Sequence, residues 1–468
     1  MEKEKPQKYK RLLTDTLIFA IGNLGSKVIL FFMVPLYTHF LSKEEYGTSD
    51  LVFTVAQLLV PFVSLVIFDA VLRFGLSQNA NKKNVLKSSL LVVFAGSLIT
   101  VLVTPLFKLY PVLSAWRWYL CIYVILTMLG NVELNYLKLI GKNKSYALIS
   151  IFHTLVLALL NYYLLAVLHW GIKGYLVAVV LSSAVTVLLS FISGRVGNAL
   201  KEGIVDKALL REMIVYSSPL IINNISWWVI QSSDKLMIEA MVGVAALGLY
   251  TAATKIPSLI NVIISIFSQA WGISSVQEYE TTNENSFYSE VFIVYSVIGF
   301  GVAVCINAVV KPFMSVYVSQ EFSESWKFVP LLLVSASFSA VASYFGSLYG
   351  ALKKSVNNMR STLIAAIINI IINYLCILWL GAWGAIIGTV TAYIVLALYR
   401  MIDVLRFIRF DPGWRTFILN ACISLIQAIL VSLDFHAWII SLIAVVLFFL
   451  VNLGTVRKAA RLFVSLLK

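Results

Sequence analysis

Lys27, Asp69, Arg73, Glu133, Asp234, Lys235, Glu239 and Lys255 sit inside long apolar runs, where ionisable side chains are costly. A charge in such a place faces a hydrated cavity, a partner of opposite sign or a charged ligand. Helical spacing sorts them. Asp69 with Arg73, and Lys235 with Glu239, are four apart and share a helix face, which suits a structural ion pair. Lys27 and Lys255 have no acid three or four positions away, so each needs another helix, a lipid headgroup or an anionic substrate. Lys27 lies near the middle of its run, too deep for easy snorkelling, whereas Arg73 lies close to the end of its own. Together Lys27, Arg73, Lys235 and Lys255 suggest basic groups spaced along a path across a bilayer. Glu133 and Asp234 also lack local partners, so either could pair with a lysine or bind a proton or Na⁺. With Asp69 and Glu239 they form an acidic set for ion coupling or charge pairing.

Asn223, Asn224, Ser226, Trp227, Trp228, Gln231 and Ser232 make one apolar run unusually polar and aromatic, which suits sugar contacts through stacking and hydrogen bonds. A hydrogen-bonded seam between helices would use the same residues. Pro35, Pro61, Pro219 and Pro257, with Gly22 and Gly25, can bend the helices that hold them, as gating or as static kinks. His39, His153, His169 and His436 show no metal spacing, and Cys121, Cys305, Cys376 and Cys422 all fall in apolar runs, where core packing is the expectation. No catalytic constellation is visible, and no cofactor is expected beyond a coupling ion, H⁺ or Na⁺.

The elements that must position these residues are membrane spans. Of 468 residues, 60% are hydrophobic and only 12% charged, with a mean hydropathy of +0.90, far from the balance of a soluble domain. Hydrophobic windows place spans at 14–41, 49–77, 86–108, 113–138, 145–168 and 171–194, then 213–241, 245–277, 287–311, 326–352, 356–379 and 382–405, and finally 413–433 and 435–456. The first is too long for a signal-peptide core and lacks a cleavage site, so it reads as retained. Residues 195–212, with Arg195, Lys201, Lys207 and Arg211, form the longest charged interruption and read as a linker between two halves.

With the N-terminus cytoplasmic, that side collects the N-terminal cluster, Lys82, Lys83, Lys87, Lys138, Lys142, Lys144, the linker, Lys353, Lys354, Arg360, Arg400, Arg406, Arg409, Arg415 and the C-terminal cluster. The other side receives only Lys43, Lys108, Arg117, Lys173, Lys311 and Lys327, a segregation that fixes orientation and explains the net charge of +14 without nucleic acid. Gly22, Asn23 and the turn Glu45-Tyr46-Gly47 are echoed roughly 200 residues later by Asn223, Asn224 and Ala246-Leu247-Gly248, as parallel repeats in a transporter would be.

Several segments resemble the polysaccharide flippases (Wzx-type) of the MATE-like MOP exporter superfamily. They are Phe19 to Lys27, Val34-Pro-Leu-Tyr-Thr38, Glu44-Glu-Tyr-Gly47, Phe68 to Phe74, Tyr216 to Lys235, Ile266 to Ser274, Ala365 to Asn369 and Trp383 to Gly388, in an order and spacing that span most of the chain. The resemblance implies an all-α polytopic membrane protein of about 14 transmembrane helices. Residues 1–194 would form an N-terminal lobe, 195–212 a cytoplasmic linker, 213–405 a pseudosymmetric C-terminal lobe of six helices like the first, and 406–468 two peripheral helices with a cytoplasmic C-terminus. It implies a bacterial inner-membrane flippase, not an enzyme, that moves an undecaprenyl-pyrophosphate-linked oligosaccharide by alternating access for capsule, O-antigen or another envelope polymer. Polysaccharide polymerase, glycosyltransferases and membrane lipids would be its partners. Lys27, Arg73, Lys235 and Lys255, with Asn23, Asn224 and Trp228, are the expected substrate contacts. A cation-coupled drug exporter of the same superfamily is the rival transporter reading. A membrane polymerase would need a large loop carrying acids and bases, which the chain lacks, and a lipid-binding scaffold without transport is the remaining alternative.

Overall fold

The computed structural model describes residues 25–77, 80–281 and 285–455, and among them there is no β-strand. Among the described residues each expected span overlaps helix, and residues 14–24 of the first expected span and 456 of the last lie outside the described residues. Residues 25–32 are helical and lead into α1 (Val34–Phe40). Then follow α2 (Lys43–Ser64), α3 (Ile67–Gly75), α4 (Lys82–Val103), α5 (Arg117–Leu139), α6 (Asn143–Asn161), α7 (Gly171–Gly194) and a short α8 (Val196–Glu202). The remainder are α9 (Lys207–Met241), α10 (Val244–Thr281), α11 (Asn285–Tyr317), α12 (Val329–Ala351), α13 (Ser355–Leu380), α14 (Ala382–Leu405), α15 (Trp414–Ser432) and α16 (Ala437–Val451). Among the described residues 11 helical segments are long and apolar enough to cross a membrane, and Ala437–Val451 is a shorter apolar helix. In hydrocarbon every backbone N–H and C=O must be satisfied internally, which is why the apolar segments among the described residues are helical. It divides into two compact units, Met1–Trp228 and Val229–Lys468. The linker expected at 195–212 is itself partly helical, holding α8 and the first turn of α9.

In the first unit α7 packs on α5 and α6, and α5 also packs on α2, α3 and α4. The start of α2 is fixed by a capping box, with Ser42 Oγ accepting from Glu45 N at 3.2 Å and Glu45 Oε2 from Ser42 N at 3.1 Å. Glu45 Oε1 also accepts from Ile172 N at 3.2 Å, tying α2 to the first turn of α7. This explains the Glu44-Glu-Tyr-Gly47 motif as an anchor.

The single span expected at 49–77 is broken. Leu65 (φ 51°) and Val66 (φ 53°) are both left-handed, a conformation costing roughly 1–2 kcal/mol per non-glycine residue. Pro61 lies just upstream inside α2. The polar groups around the break are met by protein. Ser64 Oγ donates to Val60 O at 2.6 Å and accepts from Val66 N at 3.2 Å, while Asn135 Nδ2 on α5 donates to Phe68 O at 3.0 Å. On α4, a Cβ at Gly96 would lie 2.1 Å from Val63 O, so only glycine allows this approach.

Many lysines that set the charge bias are spent on helix ends. Lys82 Nζ donates to Leu139 O at 3.0 Å and Lys142 Nζ to Ser193 O at 2.6 Å. Lys87 Nζ donates to Leu200 O at 3.0 Å and Gly203 O at 2.9 Å, Lys83 pairs with Glu202, and Ile204 N donates to Asn84 Oδ1 at 3.0 Å. These contacts hold α8 against the start of α4. They satisfy carbonyls that a helix leaves orphaned at its C-terminus.

The second unit is built around α12. Of the apolar window in Gln320–Ala351, 89% is buried, against 28% in Ser355–Leu380, so α12 is the central helix and α13 an outer one. An aromatic wall joins it to α10 and α11. Trp271 stacks on Tyr344 at 4.6 Å and donates Nε1 to Tyr344 O at 3.3 Å, Phe267 stacks on Tyr295 at 3.9 Å, and Tyr344 OH donates to Tyr288 O at 2.7 Å. The Trp383 to Gly388 motif is a close helix contact. A Cβ at Gly384 would lie 2.2 Å from Cys376 C, and one at Gly388 1.9 Å from Asn373 Oδ1, so two glycines four apart seat α14 on α13.

Arg400, assigned to the cytoplasmic side by its sequence position, lies within α14 at 1% exposure. Its Nε donates to Ser361 Oγ at 3.0 Å, one Nη to Thr362 Oγ1 at 2.8 Å and the other to Ala342 O at 2.9 Å, joining α12, α13 and α14. Three residues on, Asp403 accepts from Tyr349 OH at 2.7 Å and Asn357 Nδ2 at 2.8 Å. The cysteines also depart from expectation. Cys121 is buried and Cys376 intermediate, but Cys305 and Cys422 are exposed on apolar helices, where a lipid-facing surface tolerates a small apolar thiol as well as a core does.

Replacing Gly384 with Val forces α13 and α14 apart and is expected to cost about 1–3 kcal/mol, seen as a lower thermal midpoint of the detergent-solubilised protein. An unchanged midpoint would contradict the close contact.

Candidate functional site

Of the ionisable residues, Lys27, Asp69 and Arg73 are exposed, Lys235, Glu239 and Lys255 half-buried, and Glu133 and Asp234 buried. On the helical residues leading into α1, Lys27 is exposed, and Arg73 is exposed in the last turn of α3. Neither makes an ion pair or side-chain hydrogen bond among the described residues. Asp69 is also exposed, and it forms no ion pair with Arg73 despite the spacing of four. That pairing, expected from helix geometry, is corrected by the structure. The left-handed break at Leu65 and Val66 leaves α3 only nine residues long, with Asp69 in its first turn and Arg73 in its last, where each carboxylate or cation already complements the helix dipole. Asn23 lies outside the described residues.

Glu133 shows the opposite environment. It is 2% exposed on α5 and accepts a short hydrogen bond from Ser190 Oγ of α7. One turn back on α7, Thr186 Oγ1 lies 2.9 Å from His153 Nδ1 of α6, which also lies 3.1 Å from Ser182 O. Ser182, Thr186 and Ser190 therefore form a hydroxyl stripe at intervals of four, with an acid at one end and a histidine at the other. His153 carried no role in the sequence, because its partners come from a helix 29 or more positions away.

Asp234 on α9 is 2% exposed, and its Oδ2 accepts from Tyr250 OH of α10 and, at 3.4 Å, from Thr389 Oγ1 of α14. Its Oδ1 accepts from Lys235 N at 2.9 Å. Beside it Ser233 Oγ donates to Asn369 Oδ1 at 3.2 Å, and Asn373 Nδ2 donates to the same atom at 3.1 Å. Asn369 and Asn373 are fully buried, and Asn373 Oδ1 and Asn369 Nδ2 have no protein partner among the described residues. Asp234 with Tyr250 and Thr389, and Ser233 with Asn369 and Asn373, thus form two buried polar sets at successive positions of α9. The Ala365 to Asn369 and Trp383 to Gly388 motifs meet here. Lys235, Glu239 and Lys255 are half-buried on α9 and α10.

Two residues of the polar and aromatic run on α9 donate to backbone carbonyls. Trp228 donates Nε1 to Thr54 O at 3.1 Å, and Asn224 donates Nδ2 to Leu220 O, one turn back, at 2.9 Å. Asn223 and Gln231 are exposed. Asp50, a buried acid on α2, and the buried Arg400 were not singled out in the sequence as charges within spans, because both lie near span ends.

Tyr250→Phe removes the closer donor to the Asp234 carboxylate and is expected to lower stability by about 1–3 kcal/mol, measured by thermal unfolding. Thr389→Val, at the longer contact, should cost less. The reverse order would show that the Tyr250 hydroxyl does not hold this acid.

Residues 12–271 match the family described as polysaccharide biosynthesis protein. A curated relative, the Lsg locus putative protein 1 of Haemophilus influenzae, is 23% identical over 269 residues, 56% of this chain and 65% of its own length, so the match spans less than two thirds of that protein. Among solved structures, the lipid II flippase MurJ in an inward closed conformation superposes with a TM-score of 0.72 at 14% identity, covering 96% of this chain and all of that one. An inward-facing multidrug resistance MATE family transporter of the MOP superfamily gives 0.67 at 16% identity over 82% of this chain and 94% of its own. The superpositions establish the fold. With more than half of its sequence matched, the chain belongs to the family of polysaccharide biosynthesis proteins and has the fold of a MOP-superfamily transporter.

Proposed function

We propose that the chain is a flippase that carries an undecaprenyl-pyrophosphate-linked oligosaccharide from the cytoplasmic to the outer leaflet of the bacterial inner membrane by alternating access. The observation that carries this reading is the exposure of Lys27 and Arg73, two cations within apolar helices of a polysaccharide-biosynthesis family member, with no acid bound to either among the described residues. A diphosphate and several sugars cannot enter hydrocarbon unaided, and exposed cations give the diphosphate charge-assisted contacts on the way. Lys235 and Lys255 serve the same role further along the chain, with Asn23, Asn224 and Trp228 contributing sugar contacts. Residues 1–194 and 213–405 act as the two moving lobes, and 406–468 as the peripheral pair. MATE family transporters of this fold have inward-facing and outward-facing conformations, which supports the same cycle here. Glycosyltransferases supply the substrate and a polymerase consumes it.

Coupling to an ion is assigned to the buried acids, Asp234 first. Its carboxylate and the Thr389 hydroxyl supply oxygens of the kind a hard monovalent cation such as Na⁺ prefers, with the buried oxygens of Ser233, Asn369 and Asn373 at the adjoining position of α9, and Glu133 with Ser190 offers a proton site in the other unit. Asp69 and Glu239 act in charge balance.

Purified full-length protein should bind a lipid-linked diphosphate oligosaccharide, and Lys27→Ala or Arg73→Ala should weaken binding by about tenfold or more, the value of one charge-assisted contact. In vesicles the labelled substrate should cross, and Asp234→Asn should abolish dependence of that rate on the Na⁺ gradient. Unchanged binding in both lysine and arginine variants would sink the site assignment. Export of an organic cation in place of the lipid would replace this reading with the drug-exporter one.

A further inference from the structure

We propose that the segment joining α7 to α9 is a docking surface for anionic phospholipid headgroups. The segment is stapled on one side only. Val196, Ala199 and Gly203 are buried, and a Cβ at Gly203 would lie 2.8 Å from Lys83 O. With Lys83 on Glu202, Lys87 on Leu200 O and Gly203 O, and Asn84 on Ile204 N, that side has no freedom to turn outward.

The exposed part of the segment combines apolar and cationic groups. Ile204 is 66% exposed and Val205 39%, between Lys201 and Lys207, which are both exposed. Arg195 and Arg211 flank them and are exposed as well. Of the three acids between 195 and 212, Glu202 is held by Lys83, and Asp206 Oδ1 accepts from Ala208 N at 2.9 Å and Leu209 N at 3.3 Å as the cap of α9. Glu212 alone offsets four cations. None of these cations makes an ion pair among the described residues.

Position selects the partner. The apolar α7 span of 24 residues ends at Gly194, so the segment begins where hydrocarbon gives way to headgroups. Exposed Phe191 and Ile192 bring the lipid-facing surface of α7 up to this point, and the Phe191 ring lies 3.5 Å from where a Gly197 Cβ would stand, on the first turn of α8. Two apolar side chains ringed by lysines at that depth match an interfacial anchor, with the apolar pair entering the acyl boundary and the cations meeting phosphate. The surface is separate from the ionisable residues assigned to transport above.

The test uses full-length protein whose four cysteines are replaced, with Ile204→Cys carrying a bimane fluorophore. It is placed in nanodiscs of phosphatidylcholine alone or of equal parts phosphatidylcholine and phosphatidylglycerol, each containing lipid brominated near the top of the acyl chain. The expected result is quenching that is stronger with phosphatidylglycerol, and a preference that Lys201→Gln with Lys207→Gln removes. Affinity for spin-labelled phosphatidylglycerol should fall about fivefold per cation removed at low salt. Both substitutions are on exposed residues, and size-exclusion elution identical to the parent confirms that the variants fold. Bimane unquenched in both membranes overturns the proposal, as does quenching that is equal in the two lipids and unaffected by the double variant. Protection of the bimane only on adding a soluble protein fraction would assign the face to a protein and overturn the lipid reading as well.

Discussion

The absence of water inside the hydrocarbon governs this structure. A buried polar group there finds its partner in the protein, and several departures from plain apolar helix come with a dedicated contact. Glu133 is met by Ser190, Asp234 by Tyr250 and Thr389, and the Arg400 guanidinium by two hydroxyls and a carbonyl from two neighbouring helices. The same requirement acts at helix ends, where lysines that would otherwise extend into water reach back to carbonyls of the next element. Where helices must come closest, glycine removes the obstacle, at Gly96 in one unit and at Gly384 and Gly388 in the other.

Two classes of charge emerge from this constraint. Lys27 and Arg73 are exposed without acid partners among the described residues, whereas Glu133 and Asp234 are enclosed by hydroxyl and amide groups. An enclosed acid surrounded by neutral donors holds its protonation or its cation as part of the protein interior. An exposed cation on an apolar helix has its strongest available partner outside the protein. The proposed division of labour, acids for the coupling ion and bases for the diphosphate, rests on that difference in surroundings.

The helices were legible because a span of about 20 apolar residues is a signal that needs no tertiary context. Their breaks were not. Leu65 and Val66 look like ordinary span residues, and their left-handed backbone is held by Ser64, Gly96 and Asn135, two of which lie on other helices. Ser42 and Glu45, by contrast, carry a local capping signature that could have been read directly. In the candidate site, Asp234 stood out as a lone acid, but Asn369, Asn373 and Thr389 were ordinary polar residues until α13 and α14 were seen against α9. Arg400 was misjudged for a related reason, since proximity to a span end suggested water and only packing shows enclosure.

The break between α2 and α3 has an evolutionary consequence. Its backbone is maintained by a hydroxyl at position 64, a missing side chain at 96 and an amide at 135, each useless without the kinked carbonyls it serves. Homologues that straighten this span would lose the pressure on all three positions at once, so the trio should covary as a block while the surrounding leucines and valines drift freely.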